Sequence, residues 1–72
     1  MNIPEQFAQN LRKIRSERGI TQAQLALDAG LDVSFMNEIE RAKRNVSIET
    51  AAKLAKALDV EITDLLKDVR LG

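Results

Sequence analysis

Apolar residues recur along the chain at intervals of three and four, the spacing that gathers them on one side of an α-helix. Phe7, Leu11 and Ile14 follow this spacing and predict a helix over about 4–18. The same pattern predicts further helices over about 22–29, 33–41, 48–58 and 62–67. No segment alternates between apolar and polar residues for long enough to predict a strand. The expected fold class is therefore all-α, with five helices.

The ends of the predicted helices carry residues that commonly begin or stop a helix. Thr21 opens a T-x-x-Q capping box, which satisfies free amides at a helix start. Gly30 follows where the chain must reverse, a position that favours a positive φ. Asp32 and Ser47 are expected to cap the third and fourth helices. Residues 21–41 thus contain two short helices joined by a tight turn, which is the arrangement of a helix-turn-helix.

The third predicted helix has one apolar side and one polar side. On a helical wheel the apolar side carries Phe35, Met36 and Ile39, and the other side carries Val33, Ser34, Asn37, Glu38 and Arg41. We expect the first side to be buried and the second to be exposed. The predicted core comprises apolar side chains from four helices: Phe7, Leu11, Ile14, Leu25, Ala26, Ala29, Met36, Ile39, Ile48, Ala51, Ala52, Leu54, Ala55 and Leu58.

Composition narrows the functional classes. The chain has 72 residues and a mass of 8.0 kDa, so residues 1–72 are expected to form one domain. It has no cysteine and no histidine, so the common zinc sites and the usual neutral general base are missing. We expect no metal and no cofactor. Because Ser34, Glu38 and Glu40 do not form an arrangement of nucleophile, base and orienting group, we do not expect an enzyme.

The sequence also bears on location. The N-terminus lacks the basic start and apolar core of a signal peptide. No apolar run approaches the roughly 20 residues needed to span a bilayer. The absence of cysteine fits a reducing compartment. The expectation is a soluble, cytoplasmic protein that does not contact a membrane.

Charge is balanced in total but uneven along the chain. The 11 basic and 11 acidic residues give a formal net charge of zero, which argues against a nonspecific polyanion binder. Arg41, Lys43 and Arg44 form a basic cluster directly after the third predicted helix. Acidic residues gather near the C-terminus: Asp59, Glu61, Asp64 and Asp68. The neutral total is compatible with one basic face and one acidic end.

Residues at fixed positions of the motif resemble those of a known family. The pattern of the lambdoid phage repressor and Cro family, also called the XRE family, is matched by Gln22, Leu25, Ala26, Ala29, Gly30, Leu31, Met36 and Ile39. The similarity extends over about 11–66. The compact size and the segment IERAKRNVSIE are most similar to the controller proteins of bacterial restriction-modification systems. This resemblance implies a lambda-repressor-like fold and a dimeric transcriptional regulator that binds double-stranded DNA.

The chain departs from the controller pattern at two positions. Val33 occurs where such proteins often have arginine, and Ala42 occurs where a glycine often follows the IER segment. Arginine to guanine is the commonest specific contact in protein–DNA complexes, so Val33 indicates a less guanine-centred operator. Ala42 has less conformational freedom than glycine and restricts the loop.

The resemblance implies that the third helix, residues 33–41, lies in the major groove as the recognition helix. The expected base-reading residues are those of its polar side: Val33, Ser34, Asn37, Glu38 and Arg41. Val33 would contact a thymine methyl group, Ser34 would hydrogen-bond one of several bases, and Asn37 would pair with adenine. Other roles remain open. Val33, Ser34 and Asn37 would otherwise form an ordinary solvated helix face, and Val33 would alternatively contact a dimer partner. Arg41 would contact a phosphate, and Glu38 would repel phosphates or pair with Arg41.

A second set of residues is expected to bind phosphates. It comprises Gln22, Lys43, Arg44, Asn45 and Ser47. Gln22 lies in the first turn of the second helix, where free backbone amides can meet an anion, although a simple surface role is also open. The other four residues border the proposed groove-facing surface just beyond the recognition helix.

Arg15 and Glu40 are expected to be structural. In the resembled repressors an arginine and a glutamate at these places form an internal salt bridge. A partly buried ion pair need not add net stability.

The apolar residues near the C-terminus exceed what a small domain needs for its core. They are Ile62, Leu65, Leu66 and Val69. A homodimer would cover them and would place two recognition helices about 34 Å apart. Alternatively, Leu65 and Leu66 simply close the core of the monomer.

The sequence therefore predicts a homodimeric transcriptional regulator that binds a roughly palindromic operator. The alternative is an antitoxin or adaptor whose main role is to bind another protein through the apolar C-terminal surface. Only about six residues follow the last predicted helical turn, so little chain is present for such an extension.

Overall fold

The computed structural model describes residues 3–70, and this range contains five α-helices and no strand. The helices are α1 (Ile3–Glu17), α2 (Gln22–Ala29), α3 (Val33–Glu40), α4 (Ile48–Leu58) and α5 (Ile62–Leu65). The all-α prediction with five helices is confirmed. Four boundaries differ from the sequence pattern: α1 begins and ends one residue earlier than expected, α3 ends one residue earlier, and α5 ends at Leu65 rather than near 67.

One continuous core lies between the helices. α2 packs against both α3 and α4, while α1 packs against α3 and α5. The buried apolar side chains come from every helix: Phe7, Ala8, Leu11, Leu25, Ala26, Ala29, Met36, Ile39, Ala51, Leu54, Ala55, Leu58 and Leu65. Ile14 is half-buried and packs against this core from its edge. This packing holds α3 by its apolar side and leaves the opposite side free.

Side-chain caps begin three of the helices as predicted. Thr21 Oγ1 accepts a hydrogen bond from the Gln24 amide at 3.0 Å, and Gln24 Oε1 accepts one from the Thr21 amide at 2.9 Å. Asp32 Oδ2 accepts from the Ser34 amide at 2.9 Å. Ser47 Oγ accepts from the Thr50 amide at 3.0 Å. Each cap satisfies an amide that has no partner inside its helix.

α2 and α3 end in the same backbone geometry. After α2, Gly30 has φ of 71°, and its amide and that of Leu31 donate back to helix carbonyls at 3.1 and 2.8 Å. After α3, Ala42 has φ of 59°, and its amide and that of Lys43 donate back at 3.0 and 2.9 Å. Both turns have the paired hydrogen bonds of a Schellman motif. The positive φ at Gly30 was predicted, whereas that at Ala42 was not.

Part of the predicted core side of α4 is exposed. Ile48 is 83% exposed and Ala52 is also exposed, so the prediction that both face the core is wrong. The remaining residues of that side are buried, namely Ala51, Leu54, Ala55 and Leu58. Ile48 lies in the first turn of α4, at the rim of an apolar groove, and no helix within residues 3–70 covers its side chain.

A side chain from α1 accounts for the early end of α5. Asn10 Nδ2 donates hydrogen bonds to the carbonyl oxygens of Leu65 at 2.8 Å and Lys67 at 2.7 Å. These carbonyls are therefore bound by a residue more than 50 positions away. The chain turns after Leu65, and Leu66 is left 41% exposed while Leu65 is fully buried.

Candidate nucleic-acid interface

The polar side of α3 is accessible, as the helical wheel predicted. Val33 is 48% exposed, Ser34 and Arg41 are exposed, and Asn37 and Glu38 are half-buried. On the other side Met36 and Ile39 are buried, and Phe35 is half-buried against the core. The five predicted base-reading residues thus lie on one surface of the molecule.

A buried ion pair fixes the end of α3 to α1. Glu40 is 4% exposed, and its carboxylate accepts hydrogen bonds from Arg15 Nε at 2.6 Å and Arg15 Nη2 at 3.0 Å. The ion pair that the resemblance implied is present. Arg12 donates to the backbone carbonyl of Glu40. Two arginines of α1 therefore hold the last turn of the proposed recognition helix, where helix carbonyls favour positive charge.

Gln22 connects this ion pair to the accessible side of α3. Its Nε2 atom donates to Glu40 Oε1 at 3.0 Å, and its Oε1 atom accepts from Asn37 Nδ2 at 3.2 Å. This network was not predicted from the sequence. The i,i+3 spacing of Asn37 and Glu40 was the available signal, because it places both residues on the same side of α3. For a phosphate, Gln22 keeps one free side-chain proton and the unpaired amides of the first turn of α2.

Glu38 pairs with Arg44 across the turn that follows α3. Arg44 Nε lies 3.3 Å from Glu38 Oε2, and both side chains remain substantially exposed. Of the two alternatives for Glu38, pairing with Arg41 does not occur. Within residues 3–70, Arg41 and Lys43 make no ion pair, and Asn45 is exposed. The basic cluster therefore presents two unpaired cations and one cation that is held by a carboxylate.

Ser47 is less available than the sequence suggested. Its hydroxyl accepts from the Thr50 amide and donates to Thr50 Oγ1 at 3.1 Å. The hydroxyl proton is therefore already used in capping α4. Any contact of Ser47 with a phosphate would depend on the backbone at the start of this helix.

An apolar groove borders the basic cluster. It has a volume of about 90 Å³, and its walls include Ile3, Phe7, Ile48, Ile62 and Leu66. Leu65 is fully buried inside the monomer, so its predicted place in a dimer interface is wrong and the alternative role in the core applies. Val69 is half-buried and does not line the groove. The exposed apolar residues nearest to the groove are Ile3, Ile48 and Leu66.

Two other kinds of site are absent from residues 3–70. No helix in this part of the chain is long and apolar enough to cross a membrane. No group of three or more histidine, cysteine, aspartate or glutamate side chains in the same range is placed to hold a metal ion.

Comparison with known proteins gives matches over most of the chain. The helix-turn-helix family matches residues 11–65. The control protein C.BamHI from Bacillus amyloliquefaciens is 39% identical over 72 residues, covering 99% of this chain and 89% of that protein. The control protein C.SmaI from Serratia marcescens is 39% identical, covering 92% of this chain and 79% of that protein. The crystal structure of the restriction-modification controller protein C.AhdI from Aeromonas hydrophila gives a TM-score of 0.84 with 44% identity, covering 86% of this chain and 94% of that one.

Proposed function

The chain belongs to the XRE-type helix-turn-helix family of DNA-binding regulators, as the resemblance implied, and we propose that it binds a specific operator as a homodimer to regulate transcription. The family is one of regulators, not of enzymes. Since C.BamHI and C.SmaI are control proteins and C.AhdI is a restriction-modification controller protein, we further propose that the regulated genes belong to a restriction-modification system. Such a regulator acts in the cytoplasm, where bacterial DNA lies.

One observation carries the proposal. α3 is buried along its apolar side and exposes a continuous side that carries Val33, Ser34, Asn37 and Arg41. A helix presented in this way can enter the major groove with its first residues next to base edges. Val33 would contact a thymine methyl group, while Ser34 and Asn37 would hydrogen-bond bases. Val33 cannot make the arginine contact to guanine, which favours an operator with fewer guanines at that position.

Two flanking elements would hold the phosphate backbone. The first turn of α2 has free amides beside Gln22, at the positive end of the helix dipole. The loop after α3 contributes Lys43, Arg44 and Asn45, which are exposed. Contacts of this kind set the register of a protein on DNA but do not distinguish sequences.

A second copy of the chain would cover the apolar groove. Ile48, Leu66 and Ile3 are 83%, 41% and 40% exposed at its rim, which is unfavourable in water for large apolar side chains. An isologous dimer would bury both copies of this surface and pair two recognition helices. If these helices lie about 34 Å apart, the operator has two half-sites one helical turn apart and is roughly palindromic.

An operator is first selected from random duplexes at near-physiological salt. Two matched substitutions then distinguish residues that read bases from residues that bind phosphates. Asn37→Ala is expected to weaken operator binding by about 1–3 kcal/mol while leaving random DNA nearly unaffected. Lys43→Ala is expected to weaken binding to both DNAs and to reduce the salt slope by about one. Affinities are measured by fluorescence anisotropy over a range of salt concentrations.

The proposal fails at its first step if selection enriches no sequence above the random pool. An equal loss for Asn37→Ala on operator and random DNA would remove Asn37 from the base-reading set. A footprint with a single protected half-site would contradict the dimer on a palindromic operator.

The dimer surface is tested by Ile48→Ser, with Leu27→Ser as the matched control. Leu27 is 80% exposed on α2 and does not line the groove. We expect Ile48→Ser to raise the dimer dissociation constant by at least about tenfold, since it removes an apolar side chain from both copies of the interface. Sedimentation equilibrium measures this constant. An unchanged constant, or an equal rise with Leu27→Ser, would reject the groove as the interface.

A further inference from the structure

Three polar side chains in series connect the buried end of α3 to its accessible side. Glu40 accepts from Gln22 at 3.0 Å, and Gln22 accepts from Asn37 at 3.2 Å. Glu40 is 4% exposed, whereas Gln22 and Asn37 are half-buried. A group that does not face DNA is therefore linked to a residue proposed to read a base.

The chemistry of Glu40 allows only one orientation of Gln22. A carboxylate has acceptor atoms only, and both oxygens of Glu40 already accept from Arg15 at 2.6 and 3.0 Å. The Gln22 amide must therefore turn its Nε2 atom toward Glu40. If it turned its oxygen there, two acceptors would meet in a largely buried place, and no hydrogen bond would form.

The orientation of Gln22 then determines that of Asn37. With Nε2 on Glu40, the Gln22 oxygen faces α3, and an oxygen can only accept. The Asn37 amide must therefore turn its Nδ2 atom toward Gln22. This leaves Asn37 Oδ1 and one Nδ2 proton for any ligand at the surface of α3.

We propose that Glu40, acting through Gln22, is a positioning residue that makes Asn37 prefer a base with an exocyclic amino group. This inference rests on the proposed function, in which α3 lies in the major groove. Adenine and cytosine each present an amino donor there, whereas guanine presents two acceptors. Adenine is favoured over cytosine because its N7 atom also accepts the remaining Nδ2 proton of Asn37.

The central test is Glu40→Gln, which keeps the size of the side chain but lets it donate or accept. Gln22 and Asn37 then have two permitted orientations, and discrimination by Asn37 is expected to be lost. The four base pairs are compared at the operator position where Asn37→Ala abolishes preference. We expect the native protein to prefer adenine over guanine by about 5- to 150-fold, and Glu40→Gln to retain less than about threefold. Preferences at all other positions are expected to remain.

Two further variants distinguish an effect on the orientation of the Gln22 and Asn37 amides from a general loosening of the packing around α3. Arg15→Lys weakens the geometry of the ion pair but leaves a carboxylate facing Gln22, so base preference is expected to persist. Gln22→Met removes the connecting amide while leaving the Glu40 ion pair intact. Gln22→Met is expected to lower the preference for adenine over guanine as Glu40→Gln does. If Glu40→Gln does not fold, Gln22→Met alone tests the inference. If Gln22 also binds a phosphate, its substitution lowers affinity for all duplexes equally, and this effect cancels in the ratio.

The outcomes are distinct. Relaxed discrimination at one position in Glu40→Gln and Gln22→Met, with Arg15→Lys like the native protein, supports the inference. If Glu40→Gln and Gln22→Met both keep the native base preference, the inference is overturned. It is also overturned if Arg15→Lys loses base preference to the same extent as they do. In either case the proposed function remains intact. If the native protein prefers no sequence at all, the proposed function and this inference fail together.

Discussion

The chain reverses direction before and after α3 through two turns of the same backbone geometry. In both, a residue with positive φ and the residue after it donate hydrogen bonds back to the preceding helix. The first turn has Gly30 at the left-handed position, and the second has Ala42. The turn before α3 determines how α2 and α3 pack. The turn after α3 contains the basic cluster and places it at the surface.

The two turns differ in what stabilises them. Glycine adopts positive φ without a steric penalty, whereas for an L-residue with a Cβ atom this conformation costs about 1–2 kcal/mol. Both turns have the same pair of backbone hydrogen bonds, so at Ala42 this cost is offset by the packing that holds α3. Tertiary contacts can therefore impose a turn for which the local sequence gives no signal.

The largest effect is expected from Gly30→Val, which places a β-branched residue at positive φ. A Cβ at Gly30 would meet no atom within 4 Å, so the penalty comes from the backbone alone. We expect the free energy of unfolding to fall by about 2 kcal/mol, and by about 1 kcal/mol for the control Gly30→Ala. Urea denaturation measures both. Equal stability of all three proteins would mean that the turn tolerates a side chain and that the comparison with Ala42 is unfounded.

A smaller effect of opposite sign is expected from Ala42→Gly. Relief of left-handed strain exceeds the added entropy of the unfolded chain, so stability is expected to rise by about 0.5 kcal/mol. The melting temperature would then increase by about 2–4 °C for a domain of this size. Calorimetry at fixed protein concentration checks this, since a dimer is stabilised by mass action. A decrease in stability would show that the second turn does not carry strain.

The smallest effect on stability is expected from Glu38→Gln, which removes the carboxylate beside Arg44. The ion pair is exposed, so the free energy of unfolding should change by less than about 0.5 kcal/mol. Affinity for any duplex is expected to rise, with a steeper salt dependence, because a negative charge is removed and a cation is released. The same anisotropy titrations measure this. If Glu38→Gln instead lowers the affinity only for duplexes with cytosine at one operator position, Glu38 would be identified as a residue that reads cytosine.

The sequence predicted the fold and the accessible side of α3 because both depend on local patterns. The positions of Met36 and Ile39 fix which side of α3 is buried, and Thr21, Asp32 and Ser47 carry their caps within three residues. The same local logic was wrong for Ile48, whose spacing matches the buried side of α4. Burial also requires a neighbouring element, and none within residues 3–70 covers the Ile48 side chain, which is 83% exposed.

The five helices, the family and the polar surface of α3 could be predicted from the amino-acid pattern alone, because they follow from helical periodicity and from residues close together in the chain. Three features emerge only when the helices pack. They are the burial of Leu65 next to the exposed Leu66, the positive φ of Ala42, and the hydrogen bonds of Gln22 with both Asn37 and Glu40. Each of these features depends on how separate helices pack or on a contact between residues far apart in the chain. The sequence pattern gives the spacing of residues along the chain but does not show which residues from other helices they contact.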